Sequence, residues 1–176
     1  MRPKVLAIPA ALCNFAPMNE PSLQLDAIDW RILRVLQRDA SLSVAAVGDE
    51  VGLSANPCWR RIRRLEELGV IRGRVALVAP EAIGLGTTVI VAIRTRRHDP
   101  EWLEAFSRAV AAIDEIVECH RMAGDVDYLL KLRVRDIADY DRIYQRLIAR
   151  VPDLSDVTSN FSMERLKETT ALPLPL

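Results

Sequence analysis

Apolar side chains recur at steps of three and four residues near the start of this chain. They form one stripe, the spacing of an amphipathic helix, made of Leu25, Ile28, Ile32, Val35 and Leu36. Asp26 is a favourable N-cap, and Asp29 places negative charge in the first turn, where the helix dipole stabilises it. The pattern therefore predicts a helix that begins near Asp26.

A second, shorter helix is predicted after Ser43, which is another favourable N-cap. It should end at Gly52, which can take the left-handed conformation of a helix C-cap. Leu53 is expected to fill the turn that follows. The apolar positions of this helix are Val44, Val47 and Val51.

The third predicted helix spans Ser54 to Gly69 and is rich in arginine. Ser54 is its expected N-cap, Pro57 is tolerated because it lies in the first turn, and Gly69 ends the helix. At about 100° per residue, one face should be buried because it holds Cys58, Ile62 and Leu65. The opposite face holds Asn56, Arg60, Arg63 and Arg64.

Three short helices with a glycine-containing turn before a basic third helix predict a helix-turn-helix. In such a unit the third helix enters the DNA major groove, where arginine pairs with guanine and asparagine with adenine, while further arginines neutralise phosphates. The arginines could equally form a solvated face laced by Glu66 and Glu67, but the three-helix context favours DNA binding. The predicted DNA-binding residues are Ser54, Asn56, Pro57, Trp59, Arg60, Arg63, Arg64 and Arg72.

Trp59 lies at the edge of both faces of the third helix. Its ring either packs on the first helix or rests on the sugar-phosphate backbone of DNA. Packing on the first helix is the favoured interpretation.

The pattern changes after the third helix. Val75 and Leu77 alternate with other residues on one side of a predicted linker strand, which Pro80 closes. The chain therefore divides into five parts. These are an N-terminal extension (1–24), predicted to be disordered, a helix-turn-helix domain (25–72), a linker strand or hinge (73–86), a second domain (87–168) and a C-terminal tail (169–176).

The second half of the chain alternates between strand and helix patterns. Strands are predicted over 87–95, 116–123, 127–134 and 157–166, and Asp99 and Asp136 cap the intervening helices. The order βαββαβ is that of a ferredoxin-like sandwich, in which two helices cover one face of an antiparallel sheet. The predicted fold class is therefore α+β. Because the other sheet face needs a partner, we expect face-to-face dimers.

The net charge of zero conceals two halves of opposite sign. Residues 1–80 carry eleven basic and eight acidic groups, a net of +3, and residues 81–176 carry thirteen and sixteen, a net of −3. The neutral total alone would argue against a nucleic-acid partner. Residues 54–74, however, hold six arginines and two acidic residues, so the distribution favours a basic DNA-reading unit followed by an acidic domain.

The N-terminus has some features of a signal peptide, but Pro9 interrupts its apolar run and Leu12 occupies a position that needs a small residue. Met18 is an alternative start, which would make the first 17 residues disordered or artefactual. No stretch reaches the roughly 18 apolar residues that a bilayer span requires. The three cysteines form neither a disulfide framework nor a metal-spaced pair. We therefore expect a cytoplasmic protein without a membrane segment.

Four segments carry further information when they are taken together. They are LDAIDWRILRVLQRDA, VGLSANPCWRRIRRLEELGVIRG, CHRMAGDVDYLLKLRVRD and SNFSMERLKETTALPL. In this order they resemble the leucine-responsive/asparagine-responsive (Lrp/AsnC, feast/famine) family of bacterial and archaeal regulators, from about Leu25 to the C-terminus. The resemblance implies a winged-type helix-turn-helix joined to a ligand-binding RAM domain. It further implies a transcriptional regulator of amino-acid metabolism or transport that binds double-stranded DNA.

The same resemblance implies an assembly and an effector. Members of the family form homodimers through the RAM domain, often assembled into octamers, and bind effectors, commonly amino acids, between dimers near a Gly-Asp hairpin. Backbone N–H groups of the turn can hold an effector carboxylate, and a carboxylate can hold its ammonium. A plain hairpin turn explains Gly124-Asp125 equally well. The implied effector residues are Met122, Gly124, Asp125, Asp127 and Tyr128, with Thr158 and Ser159 as weaker candidates.

Two positions depart from the family pattern. Gly48 stands where the family usually has alanine, at an expected cost of about 1 kcal/mol in helix propensity. Arg74 stands where an aromatic residue is common. The first 24 residues have no counterpart in the family.

Two alternative functions stay open. Siroheme decarboxylases resemble this family, and His120 beside Arg121 is the one feature that suggests such an enzyme. A DNA-facing row of arginines would serve no purpose there. The other alternative is an architectural DNA-binding protein without an effector. Because no Ser-His-Asp arrangement, phosphate-binding loop or metal-spaced cluster occurs, we predict no catalytic residue, metal or cofactor.

Overall fold

The computed structural model of the chain describes residues 24–175. It divides into two compact units, each with its own apolar core. The first unit holds the residues up to Arg74 together with those from Thr169 onwards, and the second runs from Val75 to Glu168. The predictions about Met18 and the N-terminal extension lie outside the described residues, apart from Gln24.

Three helices form the first unit, as predicted. The Asp26 carboxylate caps the first helix by accepting hydrogen bonds from the backbone N–H groups of Ile28 and Asp29, each at 2.9 Å. Asp29 bonds back to the Asp26 N–H and completes a capping box. Ser43 caps the second helix, which ends at Gly52 in the left-handed conformation. The helices are α1 (Ala27–Arg38), α2 (Val44–Val51) and α3 (Ala55–Glu67).

The predicted apolar face of α3 is buried in the core of the first unit. Cys58, Ile62 and Leu65 lie there against residues of α1 and α2. Leu53 packs against the same core from the turn between α2 and α3. The arginines of α3 therefore lie on its outer side, because the helix has only one buried stripe.

Gly48 lies where α2 approaches the turn that leads into α3. A Cβ atom at this position would lie 2.6 Å from the backbone oxygen of Leu53, much closer than a normal contact. The Leu53 N–H also donates a 2.8 Å hydrogen bond to the Gly48 carbonyl. The glycine therefore permits a close backbone approach, a role that helix propensity alone does not reveal.

The predicted linker strand is absent from the structure. No strand of the described residues precedes Thr87, so the wing that the family resemblance implied is absent from the first unit as well. A strand needs a neighbour to complete its hydrogen-bond ladder, and this segment finds none among residues 24–175. Val75 and Leu77 are 81% and 74% exposed, and a short 3₁₀ turn, Glu81–Ile83, follows Pro80.

The second unit confirms the βαββαβ order. Its antiparallel sheet has the strand order β2-β3-β1-β4. The last strand covers Leu154–Phe161 rather than 157–166, because its partner β1 pairs Thr95 with Leu154 and Val89 with Phe161 and begins only two residues before Val89. The elements are β1 (Thr87–Thr95), α4 (Pro100–Ala111), β2 (Ile116–Arg121), β3 (Tyr128–Val134), α5 (Ile137–Ile148) and β4 (Leu154–Phe161).

The two faces of this sheet differ in burial. One face is buried with α4 and α5, and Trp102 and Phe106 of α4 stack there with ring centroids 5.1 Å apart. Exposed or half-buried side chains of the other face are Thr88, Ile90, Ala92, Leu129, Lys131 and Thr158. Within the described residues, no helix is long and apolar enough to cross a membrane.

Candidate nucleic-acid interface and effector site

The outer face of α3 presents the polar groups that the sequence predicted for it. Asn56 and Arg60 are exposed, and neither makes a side-chain hydrogen bond or ion pair within residues 24–175. Ser54 occupies the N-cap position, but its hydroxyl makes no capping hydrogen bond, contrary to the prediction that it caps the helix. These groups are therefore available to an external partner at the N-terminal end of the helix.

The other predicted arginines differ in whether their side chains pair with carboxylates. Arg72 is exposed without a partner in the described part of the chain. Arg63 lies 3.6 Å from Glu66 and 3.8 Å from Glu67, as loose pairs along the helix surface. Exposed pairs of this kind contribute little energy, so a phosphate could replace these carboxylates as the partner of Arg63.

Arg64 is held by the first helix instead. Its Nη1 lies 3.1 Å from the Asp29 carboxylate, and its Nη2 donates to the Gln24 carbonyl at 3.2 Å. Arg61, which the sequence did not single out, bonds the carboxylates of Asp26 and Asp29 at 2.7 and 2.8 Å. The capping box of α1 thus anchors one side of the basic helix.

Asp29 is the buried centre of this network, with 1% of its surface exposed. Its two oxygens accept from Arg61, Arg64 and the Asp26 backbone. The pKa of the Asp26 carboxyl lies below its usual value, chiefly because the Asp29 N–H and then the Arg61 side chain bond to the charged form. The acidic first turn that the sequence assigned to the helix dipole therefore also orients α3.

Trp59 does not pack on α1. Its surface is 53% exposed, and it is absent from the core of the first unit. The favoured sequence interpretation was therefore wrong, because the buried stripe of α3 consists of Cys58, Ile62 and Leu65 and does not include Trp59. An exposed indole beside arginines leaves contact with a DNA backbone as the remaining hypothesis.

The predicted effector hairpin joins β2 to β3. Met122 and Asp125 have exposed surface, and Gly124 adopts a φ of +137° that favours glycine. The turn is closed by the Met122 N–H, which donates to the Asp127 carbonyl at 2.8 Å. The structure thus brings Met122, Gly124 and Asp125 together at one surface.

The Asp127 carboxylate has a structural partner. It accepts a 2.8 Å hydrogen bond from the Thr95 backbone N–H, and the Asp127 N–H donates to the Ile93 carbonyl at 3.0 Å. Asp127 therefore fastens the hairpin to the end of β1, and its side chain is less available to an effector than that of Asp125.

Arg94 is a hairpin contact that the sequence did not reveal. Its Nε donates to the Asp125 carbonyl at 2.7 Å, and its Nη1 lies 3.7 Å from Asp156 on β4. No local pattern marks this residue, because the contact joins positions 31 residues apart in sequence. The guanidinium brings positive charge to the β2–β3 hairpin.

Tyr128 lies in the core of the second unit. Its ring is 4.4 Å from that of Phe106 and 5.7 Å from that of Trp102, measured between centroids. Thr158 and Ser159, the weaker effector candidates, differ in availability. Thr158 is exposed beside Asp156, whereas the Ser159 hydroxyl bonds the Tyr140 hydroxyl. Of the residues that the sequence proposed, Met122, Gly124 and Asp125 are thus the best placed to meet a ligand.

The remaining titratable groups do not assemble into a metal site. Among residues 24–175 no group of three or more His, Cys, Asp or Glu side chains could hold a metal ion. His120 is exposed and lies 3.5 Å from Glu118, whose pKa is lowered chiefly by its 2.6 Å bond to Lys131. Burial raises the pKa of Cys58 and raises that of Cys119 to about 11, which keeps both thiols protonated and unreactive.

A helix-turn-helix with an exposed basic face, followed by a ferredoxin-like sandwich, defines a two-part DNA-binding regulator. Comparison with known proteins agrees with this class. Residues 25–66 match the AsnC-type helix-turn-helix domain, and residues 88–172 match the Lrp/AsnC ligand binding domain. The chain therefore belongs to the Lrp/AsnC family of transcriptional regulators.

Individual relatives cover nearly the whole of both units. The glutamate uptake regulatory protein of Zymomonas mobilis is 52% identical over 152 residues, which are 86% of this chain and 92% of that protein. The crystal structure of an AsnC family transcriptional regulator from Agrobacterium tumefaciens is 52% identical, with a TM-score of 0.82 and coverage of 85% and 97%. A transcriptional regulator from Neisseria meningitidis, solved as a complex with L-Met, is 31% identical, with a TM-score of 0.81 and the same coverage.

Proposed function

We propose that this regulator controls genes of amino-acid metabolism or transport, and that it reads operator DNA through α3 and senses an amino acid at the β2–β3 hairpin. The observation that carries the DNA-reading part is the exposed face of α3, where Asn56, Arg60 and the Ser54 hydroxyl lack partners in the described residues. Arg63 and Arg72 extend this face toward phosphates, with Pro57 and Trp59 beside them. Arg64 acts mainly by holding α3 to α1.

The DNA-reading proposal is tested by Arg60→Ala. Loss of a guanine or phosphate contact should weaken binding to the operator about tenfold or more, with an unchanged melting temperature because Arg60 has no partner in the described structure. Gel shifts on the DNA upstream of the protein's own gene measure the affinity. The control is Arg31→Ala, which removes the same charge from an exposed position of α1 that also lacks a partner in the described residues. Equal affinity of parent and Arg60→Ala would refute the assignment.

The effector part of the proposal rests on the composition of the hairpin. Asp125 offers an exposed carboxylate for an ammonium group, whereas the turn around Gly124 and Arg94 offers N–H donors and positive charge for a carboxylate. The relative from Neisseria meningitidis binds L-Met, and that from Zymomonas mobilis is named for glutamate uptake. Both support an amino acid as the effector of this chain.

Asp125→Ala tests the effector site. Gel shifts repeated with each of the twenty amino acids should identify an effector that alters DNA binding of the parent. In Asp125→Ala this response should disappear while binding without effector is retained. The control is Asp114→Ala, which removes another exposed carboxylate, one between α4 and β2. If Asp125→Ala keeps the parental effector affinity, Asp125 does not belong to the site, and if no amino acid acts on the parent, the architectural alternative is favoured.

Met122, Gly124 and Asp125 of the hairpin are exposed in the single chain. A depression of the second unit is lined by residues such as Tyr144, Asp153 and Leu154, and none of the five predicted effector residues lines it. The open sheet face carries Ile90, Ala92 and Leu129 at its centre. Both observations support homodimers, assembled into octamers or other higher oligomers, with the effector bound between dimers.

We further propose that the protein has no catalytic activity and acts in the cytoplasm. The relatives named above are regulators, and His120 is solvated beside Glu118 rather than placed in a basic pocket. Cys58 and Cys119 are free thiols among the described residues, which suits a reducing compartment. A haem-like absorption band in the purified protein would favour the siroheme-decarboxylase alternative, and recovery outside the cytoplasmic fraction would contradict the location.

A further inference from the structure

The last residues of the chain lie against α1 of the DNA-binding unit. The Gln37 side-chain amide makes two hydrogen bonds to the main chain of Leu172. The Gln37 Nε2 donates to the Leu172 carbonyl at 3.2 Å, and the Gln37 Oε1 accepts from the Leu172 N–H at 2.6 Å. One residue of a β-strand exchanges the same two bonds with its neighbour. Arg34, one turn earlier, donates to the carbonyl of Pro175.

The segment that Gln37 binds is stiff and extended. Leu174 lies between Pro173 and Pro175 and packs against the core of the first unit. Proline fixes its own backbone angle and restricts the residue before it, so the segment loses little conformational freedom on docking. Proline also lacks an N–H, so Pro173 and Pro175 cannot donate to the Gln37 amide, and in the structure Leu172 makes both bonds to it.

The residues just before this segment are held in the second unit. Glu168 lies 3.0 Å from Arg133, which is buried in that unit. Arg165 lies 3.0 Å from Glu81 and 2.8 Å from Glu168. Glu168 is therefore held within the second unit, and Leu172 is held within the first.

We propose that Arg34 and Gln37 of α1, with the adjoining apolar surface, form a docking surface whose ligand is the leucine-proline segment Thr169–Pro175 of the same chain. The segment belongs to the first unit, so the chain passes between the two units twice, once after Arg74 and once after Glu168. The ligand chemistry is an extended main chain whose Leu172 N–H and C=O pair with one side-chain amide, followed by one leucine side chain between two prolines.

Amide hydrogen exchange on the full-length protein tests the docking surface. In the parent, the Leu172 N–H should exchange slowly because Gln37 accepts its bond. In Gln37→Ala this amide should exchange about tenfold faster or more, while amides in the core strands keep their protection. Arg31→Ala, on the same helix, should leave the Leu172 amide as in the parent. Fast exchange in the parent, or equal exchange in the parent and Gln37→Ala, would overturn the proposal.

A cysteine pair tests whether the docked segment comes from the same chain. Gln37→Cys combined with Leu172→Cys keeps the Arg34 and Leu174 contacts and should form a disulfide under mild oxidation that retains the mobility of a single chain on a denaturing gel. Arg31→Cys combined with Leu172→Cys should crosslink far less. A crosslinked dimer would show that a second copy supplies the segment and would overturn the assignment to the same chain, as would the absence of any crosslink.

Discussion

At the scale of single residues, buried or paired carboxylates orient the functional helices. Asp29 joins Arg61 and Arg64 of α3 to the first turn of α1, so its removal should affect the whole first unit. The two arginines are partly solvated, and the remaining charges can therefore be hydrated once their partner is lost. This limits the expected cost to less than that of a fully buried ion pair.

Asp29→Asn should therefore destabilise the protein by about 2 kcal/mol. Urea unfolding at neutral pH measures the change. Asp49→Asn serves as the control, because this carboxylate is exposed on α2 and has no partner within residues 24–175. If the two variants unfold alike, the ion network does not contribute to stability.

Asp99 predicts a dependence of stability on pH. The Arg97 side chain, at 2.8 and 3.0 Å, and then the Trp102 N–H lower the pKa of the Asp99 carboxyl from 3.8 to about 2. Because the pKa is lower in the folded state, the stabilisation is present above about pH 4 and is lost as the pH falls toward 2. Asp99→Asn keeps a good N-cap residue but should lose less stability than the parent over this interval.

Thermal melts of both proteins across that pH range test this prediction. Asp114→Asn is the control, because it neutralises an exposed carboxylate without a partner in the described residues and should follow the parent. If the melting temperature of Asp99→Asn falls with pH as steeply as that of the parent, other carboxylates account for the loss of stability at acid pH.

At the scale of elements, two opposing effects meet at Gly48. Alanine would improve the helix propensity of α2 by about 1 kcal/mol. Its Cβ would, however, lie 2.6 Å from the Leu53 carbonyl, and relieving such a contact means shifting backbone, which typically costs about 1–3 kcal/mol. We therefore expect Gly48→Ala to destabilise the protein by about 1 kcal/mol despite the better helix former, as measured by urea unfolding.

Gly73→Ala is the matched control for this prediction. A Cβ at Gly73 meets no atom within 4 Å, so the substitution should be neutral or slightly stabilising, since alanine reduces the freedom of the unfolded chain. A Gly48→Ala protein more stable than the parent would show that the turn between α2 and α3 relaxes at little cost.

At the scale of the whole molecule, the open sheet face predicts assembly. Light scattering at micromolar concentration should give at least twice the chain mass of 19.8 kDa. Ile90→Glu should shift the population toward single chains because it places charge in an apolar contact. Lys131, which already bonds Glu118, lies opposite Ile90 in the sheet. Its ammonium has three donors and can also bond the new carboxylate, so the unit should still fold.

Ile137→Glu is the control for assembly. Ile137 is 69% exposed on α5, away from the open sheet face, and its replacement should leave the mass unchanged. A parental protein that scatters as a single chain would contradict the proposed dimer.

The sequence by itself determined the elements of this protein and their order. Helix caps at Asp26, Ser43 and Gly52, and the strand Thr87–Thr95, follow from patterns that extend over only a few residues. The basic face of α3 follows from helical periodicity alone, and the family follows from four segments in a specific order. All of these signals depend on residues close together in sequence, so capping preferences and side-chain periodicity can be recognised from the sequence itself.

The tertiary structure alone decided which side chains are free to act. Arg60 and Arg64 are alike in sequence, yet only Arg64 meets a buried carboxylate on another helix. Tyr128 adjoins the predicted hairpin, but its ring lies in the core, whereas Arg94 reaches the hairpin from a distant strand. The linker residues alternate as a strand but have no strand partner in the part of the chain that the structure describes. Partners distant in sequence set these outcomes, because burial and hydrogen bonding depend on what folding brings into contact.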